Sequence, residues 1–367
     1  MAPEHAQSVP ILQVHATNVT GLGAVTVVQS LLQALRRCTT VGELRVHVPA
    51  TGELSEIAAH PPDFQVVRMR RYLPNALSRA CESLRPGGAL EPALPALVLG
   101  DLPLRGLARQ VVFVHQLNLL DPEISMHASR AFKFRVARRI FRLNARYVQH
   151  VVVQTTAMRD GLVESVPMLR DRCVVIPNPV PTLYSQARRC TPEGGPDGRL
   201  RLFYPASPYP HKNHRVLARI THDARLAQHV AEIRLTVAAA DIPACRPGVV
   251  SFLGRVPAET CLREFTHCDA LVFPSLAESL GLPLLEAMQL ELPIIAADLP
   301  YARAVCGDGA IYFEPHSAES LMRAIQTLHA RLETGWQPDW QRQLAALPDS
   351  WDDVAQSMVA LFANTPR

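Results

Sequence analysis

Residues 272–300 read "VFPSLAESLGLPLLEAMQLELPIIAADLP". The runs ending at Phe273 and spanning 293–298 are short and apolar, as central strands of a parallel sheet are. Between them Gly281 gives the chain a free turn and close backbone approach. Pro283 fits the first turn of a helix, where its missing N–H costs nothing. The stretch therefore predicts strand, glycine turn, helix, strand, the repeating unit of an α/β fold. It also carries two carboxylates, Glu278 in the loop and Glu286, which this reading places in the first helical turn. An acid near a helix N-terminus complements the helix dipole, which explains one glutamate but not both. Backbone N–H groups at a helix start face an anion, and carboxylates accept hydrogen bonds from paired hydroxyls. One short element thus offers phosphate donors beside two acceptors for diols.

The same alternation runs along the whole chain. "PILQVHA", "ELRVHVPA", "DFQVVRM", "ALVLGD", "QVVFVHQ", "HVVVQT" and "CVVIPNPV" read as strands, with a basic helix over about 126–146. Residues 184–200, "YSQARRCTPEGGPDGRL", are rich in Gly, Pro and charge and read as a linker. The pattern then restarts with "RLFYPAS", "EIRLTVAA", "GVVSFLGRV", "CDALVFPS" and "LPIIAAD", and closes on the helix "WDDVAQSMVALFA". The expected organisation is a first α/β domain over 1–183, a linker over 184–200, a second α/β domain over 201–349 and a final helical segment over 350–367. Two such units imply a cleft, with ligands past the carboxyl ends of the strands.

The bulk numbers fit two domains and argue for no particular partner. The chain has 367 residues, 48 % of them hydrophobic, and a formal net charge of +4. Of 37 basic residues only two, Lys133 and Lys212, are lysines. The eight cysteines form no CxxC pair, so neither a zinc site nor a redox dithiol is supported. No secretory signal pattern opens the chain and no run of about 18 apolar residues occurs. The expectation is a cytoplasmic protein with reduced thiols and no membrane span.

Four further features carry candidate chemistry. Gly21 and Gly23 follow a strand and open a helix, a turn that lets backbone N–H groups approach an anion or merely joins two elements. The third glycine of the dinucleotide fingerprint is missing, so a nicotinamide dehydrogenase is disfavoured. His115 follows the strand "VVFV", where an imidazole can donate to or accept from a sugar hydroxyl, although a capping or surface histidine reads the same way. His15 is a similar but weaker case. Lys212 lies where a strand hands over to a helix, a position that suits a diphosphate.

The fourth feature is the segment "SRAFKFRVARRIFRLNARYV". Arg135, Arg138, Arg139, Arg142 and Arg146 fall on one face, and Phe132, Val136, Ile140, Leu143 and Tyr147 on another. The arginines are free to touch an anionic membrane surface from the inner side. An ordinary surface helix packing its apolar stripe on the protein's own sheet reads the same way, and the two readings are compatible. No base-stacking aromatics interleave the basic face, so nucleic acid is not an expected partner.

With these residues in view, "PSLAESLGLPLLEAM" resembles the glutamate, seven residues, glutamate signature of the retaining glycosyltransferases of family four, also called group 1. "VVFVHQ", "VVVQTTAMRDGL", "VVIPNPV", "FYPASPYPHKNHRVL", "VSFLGRVPAE" and "LPIIAADLPYARAVCGDGAIYFEP" resemble further blocks of that family in the same order. The resemblance is strong from about residue 110 onward and weaker before it. It implies the GT-B fold: two Rossmann-like domains facing a central cleft, with the last helix crossing back to the first.

It also implies roles. Glu286 would hold the ribose hydroxyls of a nucleotide-sugar donor, Glu278 the donor hexose, and Lys212 the diphosphate. The backbone through Ser279, Leu280, Gly281, Leu282, Pro283 and Leu284 would line sugar and phosphate. Gly21 and Gly23 would approach the phosphates from the first domain, and His115 would lie beside the transferred sugar. No cofactor and no metal are implied, and the acceptor would be a lipid-linked saccharide or polysaccharide of the bacterial surface. One departure stands out. The family has an arginine five or six residues before the lysine, where this chain has Ser207 and Ala206; Arg255 is a candidate substitute. Rival readings are a nucleotide-sugar epimerase or a phosphorylase on the same scaffold, and a non-catalytic subunit that binds nucleotide-sugar.

Overall fold

The computed structural model describes residues 9–19, 22–51, 54–55, 65–69, 76–86, 90–116, 119, 128–187, 198–242, 244–246 and 248–363. The chain divides into two compact units, Met1–Pro179 with Pro348–Arg367, and Val180–Leu347.

The first unit is built on a seven-stranded parallel sheet. Its strands are β1 (Val9–His15), β2 (Val41–Pro49), β3 (Gln65–Met69), β4 (Ala96–Val98), β5 (Gln110–Phe113), β6 (Val148–Val153) and β7 (Cys173–Val175). They lie in the order β3-β2-β1-β4-β5-β6-β7. Along β4 the side chains alternate between two separate cores, Leu97 on one face and Ala96 and Val98 on the other. A sheet covered on both faces needs apolar residues at every position, which is why these strands read as unbroken apolar runs. Buried Gln13 keeps its amide satisfied on the backbone of Glu91, donating at 2.9 Å and accepting at 2.8 Å.

The last helix, Trp351–Ala360, belongs to this unit although it follows the second in sequence. Val354, Ala355, Met358 and Val359 pack in the core that holds Val28, Leu31 and Leu32 of the helix Leu22–Arg37. Arg37 grips Asp352 with Nε at 3.0 Å and Nη2 at 2.6 Å. Ser350 caps the helix, and Asp353 returns a bond to the Ser350 backbone at 2.9 Å.

The second unit has six parallel strands: β8 (Leu200–Tyr204), β9 (Val230–Leu235), β10 (Val250–Phe252), β11 (Ala270–Phe273), β12 (Ile294–Ala297) and β13 (Ile311–Phe313), in the order β10-β9-β8-β11-β12-β13. Phe203, Tyr204, Phe265, Phe273 and Phe313 are fully buried in its single core. β13 was not anticipated as a strand: three residues carry too little periodicity to stand out.

Two expectations need correction. The boundary between the units falls before Val180, ahead of the stretch 184–200 read as linker. That stretch opens inside the helix Thr182–Ser185, and Tyr184 is buried against Phe265 with ring centroids 5.7 Å apart. One buried aromatic in a Gly- and Pro-rich stretch carries no pattern, and only packing reveals it.

The basic helix, Ala128–Asn144, also differs from the reading of its sequence. Phe132, Val136 and Leu143 are exposed, at 63 %, 38 % and 56 %, among exposed Arg135, Arg139 and Arg142. Of the expected stripe Ile140 is buried, beside Phe134, Ala137 and Phe141 of the packed face, with Arg138 half-buried. Both stripes have helical spacing, and the sheet, not the period, selects which one is buried. Among the described residues no helix is long and apolar enough to cross a membrane.

Candidate functional site

The site of the second unit is built from the carboxyl ends of β8 and β11. After β11 the chain runs through buried Ser275 to Gly281, which takes φ +82° and opens the helix Leu282–Gln289. That left-handed conformation would cost an L-residue roughly 1–2 kcal/mol, and a Cβ there would lie 3.1 Å from Leu284 Cδ1. Leu284 N–H is satisfied by Gly281 O at 2.8 Å. Among the described residues the N–H groups of Ser279, Leu280, Gly281 and Leu282 meet no acceptor. Pro283 has no N–H, so the helix start is a short row of unpaired donors.

Lys212 is carried to this row by the turn Pro210–Lys212 that follows β8. His211 O accepts from Leu276 N at 2.7 Å and from Ser275 Oγ at 3.3 Å, stitching this turn to the loop after β11. Tyr204 Oη donates to Lys212 O at 3.0 Å. The ammonium ends 2.5 Å from Glu278 Oε1, with both side chains mostly buried, 18 % and 13 % exposed. Lys212 and Glu278, 66 positions apart in sequence, thus form one ion pair beside the free N–H groups.

Glu286 differs from its expected place. The helix starts at Leu282, so Glu286 lies in the second turn, not the first. Loss of water around the carboxyl pushes it up to about 7, opposed by a hydrogen bond from the Tyr184 hydroxyl. Tyr184 was not singled out in the sequence, and nothing in the local pattern points to it.

Of the missing family arginine, Ser207 remains only through its backbone, with Ser207 O 3.0 Å from His214 Nε2. Arg255 is exposed after Gly254, itself at φ +66°.

In the first unit, Gly21 lies outside the described residues. Gly23 is exposed in the first turn of Leu22–Arg37, and among the described residues nothing lies within 4 Å of where a Cβ would be. His115 stands two residues beyond β5. Its N–H and that of Gln116 donate to Asp101 Oδ1 at 2.6 and 3.0 Å. Asp101 itself takes φ +67°. Burial lowers the His115 imidazole, against the pull of Asp101, so the neutral ring is favoured.

His15 is fully buried. Its Nε2 is 2.8 Å from Glu82 Oε1, and the Thr17 hydroxyl donates to the same oxygen at 2.6 Å. Burial pushes Glu82 up, but His15, Thr17 and Asn18 outweigh it and hold the carboxyl down at about 2. This cluster ties the end of β1 to the helix Ala76–Leu84.

Comparisons with known proteins fit this geometry. The family profile described as "Glycosyl transferases group 1" matches residues 199–331. The O-antigen chain mannosyltransferase RfbU of Salmonella typhimurium is 34 % identical over 79 residues, which cover 22 % of this chain and 22 % of that protein. The match therefore spans about a fifth of the relative's length. Among solved structures, WaaG, a glycosyltransferase involved in lipopolysaccharide biosynthesis, superposes with a TM-score of 0.61 at 13 % identity over 95 % of both chains. Anabaena HepE, solved in complex with UDP, gives 0.58 at 15 % identity over 96 % of both. The fold is the GT-B fold of these glycosyltransferases, and residues 199–331 match the group 1 glycosyl transferase family.

Proposed function

We propose that this protein is a retaining hexosyltransferase that uses a nucleoside-diphosphate sugar. The observation that carries this reading is the convergence of Lys212, Glu278 and the unpaired N–H groups of residues 279–282 at one helix start. Departure of the nucleoside diphosphate leaves negative charge on a phosphate oxygen. Prepositioned donors and an ammonium stabilise that charge with little reorganisation. Glu286 takes the ribose hydroxyls, Glu278 the hexose, and His115 keeps the place beside the transferred sugar that the resemblance gives it. The departing phosphate oxygen takes the acceptor's proton on the same face, so the anomeric configuration is retained and no covalent nucleophile is required. The charge is carried by Lys212 and the backbone rather than by a metal. The acceptor is a lipid-linked saccharide in lipopolysaccharide or related surface polysaccharide synthesis, a class supported by the name of the O-antigen relative.

A thermal-shift series with UDP, GDP, ADP, dTDP and CMP, with NAD as control, tests the donor half. Ligand at a hundred times its Kd stabilises by about 2.7 kcal/mol. The expected result is a selective shift with one nucleoside diphosphate. A shift with NAD alone, or with none of them, contradicts the reading.

The enzyme works on the cytoplasmic side and touches the membrane through the helix Ala128–Asn144. Exposed Phe132 and Leu143 beside Arg135, Arg139 and Arg142 suit an anionic bilayer, with rings and aliphatics at the acyl boundary and guanidinium groups at the phosphates. Replacing the three arginines by glutamine should cost about 1 kcal/mol each near the headgroups. Vesicles rich in phosphatidylglycerol should therefore bind about a hundredfold more weakly in a sedimentation assay. Unchanged sedimentation removes this face from the proposal.

A further inference from the structure

The geometry points to Gln154 as a positioning residue that holds the His115 ring in a single tautomer, with its proton on Nε2. Gln154 follows β6 and is 3 % exposed. Its amide nitrogen lies 3.3 Å from His115 Nδ1 and 3.4 Å from Asn178 Oδ1. Asn178, on the loop beyond β7, is 1 % exposed. An amide –NH₂ carries two hydrogens and no free lone pair, so it donates to both neighbours. With Asn178 presenting Oδ1, Gln154 turns Nε2 toward the histidine, because a reversed Gln154 amide would set two oxygens against each other. Nδ1 must then accept, and the single proton of a neutral imidazole is left on Nε2.

Two contacts hold the ring for that purpose. Asp101 fixes the backbone on both sides of the junction between His115 and Gln116. The Phe113 ring meets the imidazole edge-on, with centroids 3.9 Å apart. His115 Nε2 is buried and has no hydrogen-bond partner among the described residues. A buried N–H with no acceptor costs free energy, so a ligand oxygen is the natural partner for it.

The consequence rests on the reading that His115 meets the transferred sugar. His115 then donates to a sugar oxygen and does not serve as a general base, since its only lone pair is engaged by Gln154. That agrees with a mechanism in which the departing phosphate takes the acceptor's proton.

The tautomer can be read without donor or acceptor, so its test is separate from that of the glycosyl-transfer reading. The full chain is labelled with ¹⁵N-histidine, and long-range ¹H–¹⁵N spectra are recorded at neutral pH. The His115 signals are assigned by their loss in His115→Gln. The expected result is a pyrrole-type Nε2 and a pyridine-type Nδ1. In Gln154→Glu the carboxylate can only accept, so the proton should move to Nδ1 and the two shifts should exchange. Gln154→Met, which removes the donor without adding a charge, should give averaged shifts from both tautomers. A wild-type spectrum with the proton on Nδ1 overturns the proposal even if no variant folds. Variant spectra identical to the wild type also overturn it.

Discussion

Lys212→Ala should lower turnover by about two to three orders of magnitude, the loss seen when one preorganised donor to a developing oxyanion is removed. Two effects add. The ammonium no longer meets the departing phosphate, and Glu278, 13 % exposed, loses its partner at 2.5 Å. A mostly buried carboxylate without a counter-charge then faces the donor's anionic diphosphate. Lys212→Arg is expected to recover little, because a planar fork does not replace a point charge in this confined place. The missing family arginine makes the effect larger, since no second cation stands at Ser207 or Ala206 to share the load. The check is kcat with a fixed donor, alongside a melting curve to show that the second unit remains folded. Wild-type turnover in Lys212→Ala would take this residue out of the phosphate site.

Glu286→Ala should weaken nucleoside diphosphate binding by about ten- to a hundredfold, the worth of one hydrogen bond to a charged group at roughly 1.5–3 kcal/mol. Binding to the wild-type protein should also depend on pH. The carboxyl is raised from 4.5 to about 7, chiefly by loss of water. Below that value it is protonated and can no longer accept from both ribose hydroxyls. Affinity should therefore fall on acidification through about 7, by up to about tenfold per pH unit.

Stability should move the other way. A carboxyl whose folded value lies above its unfolded value holds its proton more tightly when folded. Its stabilising contribution is full below 4.5 and is lost as pH rises toward about 7. Tyr184→Phe removes the hydroxyl that opposes the upward shift, so the midpoint of the affinity profile should move to higher pH. Titration calorimetry on either side of pH 7 measures the three binding effects, and melting curves over the same range measure the stability. Unchanged affinity in Glu286→Ala would argue against the ribose role.

Much of this was legible in the sequence because the signals are local. Gly281 before Pro283, between two apolar runs, announces a strand, a turn and a helix, and the unpaired N–H groups follow from the helix start itself. Lys212 stood out by rarity, and the two glutamates by the resemblance of their spacing. The helix register was harder to read. Glu286 was placed one turn too early, because caps fix helix ends more sharply than sequence does.

What the sequence by itself determined is the alternation of strand and helix and the chemistry at the strand ends, since both follow from residue type and short-range spacing. Only the tertiary structure decided which helical stripe of Ala128–Asn144 is covered, because two faces of one helix satisfy the same period and the sheet selects between them. It alone brought Tyr184 to Glu286, Lys212 to Glu278, and Gln154 between His115 and Asn178. Such pairs join residues that are distant in the chain, and only folding makes them neighbours.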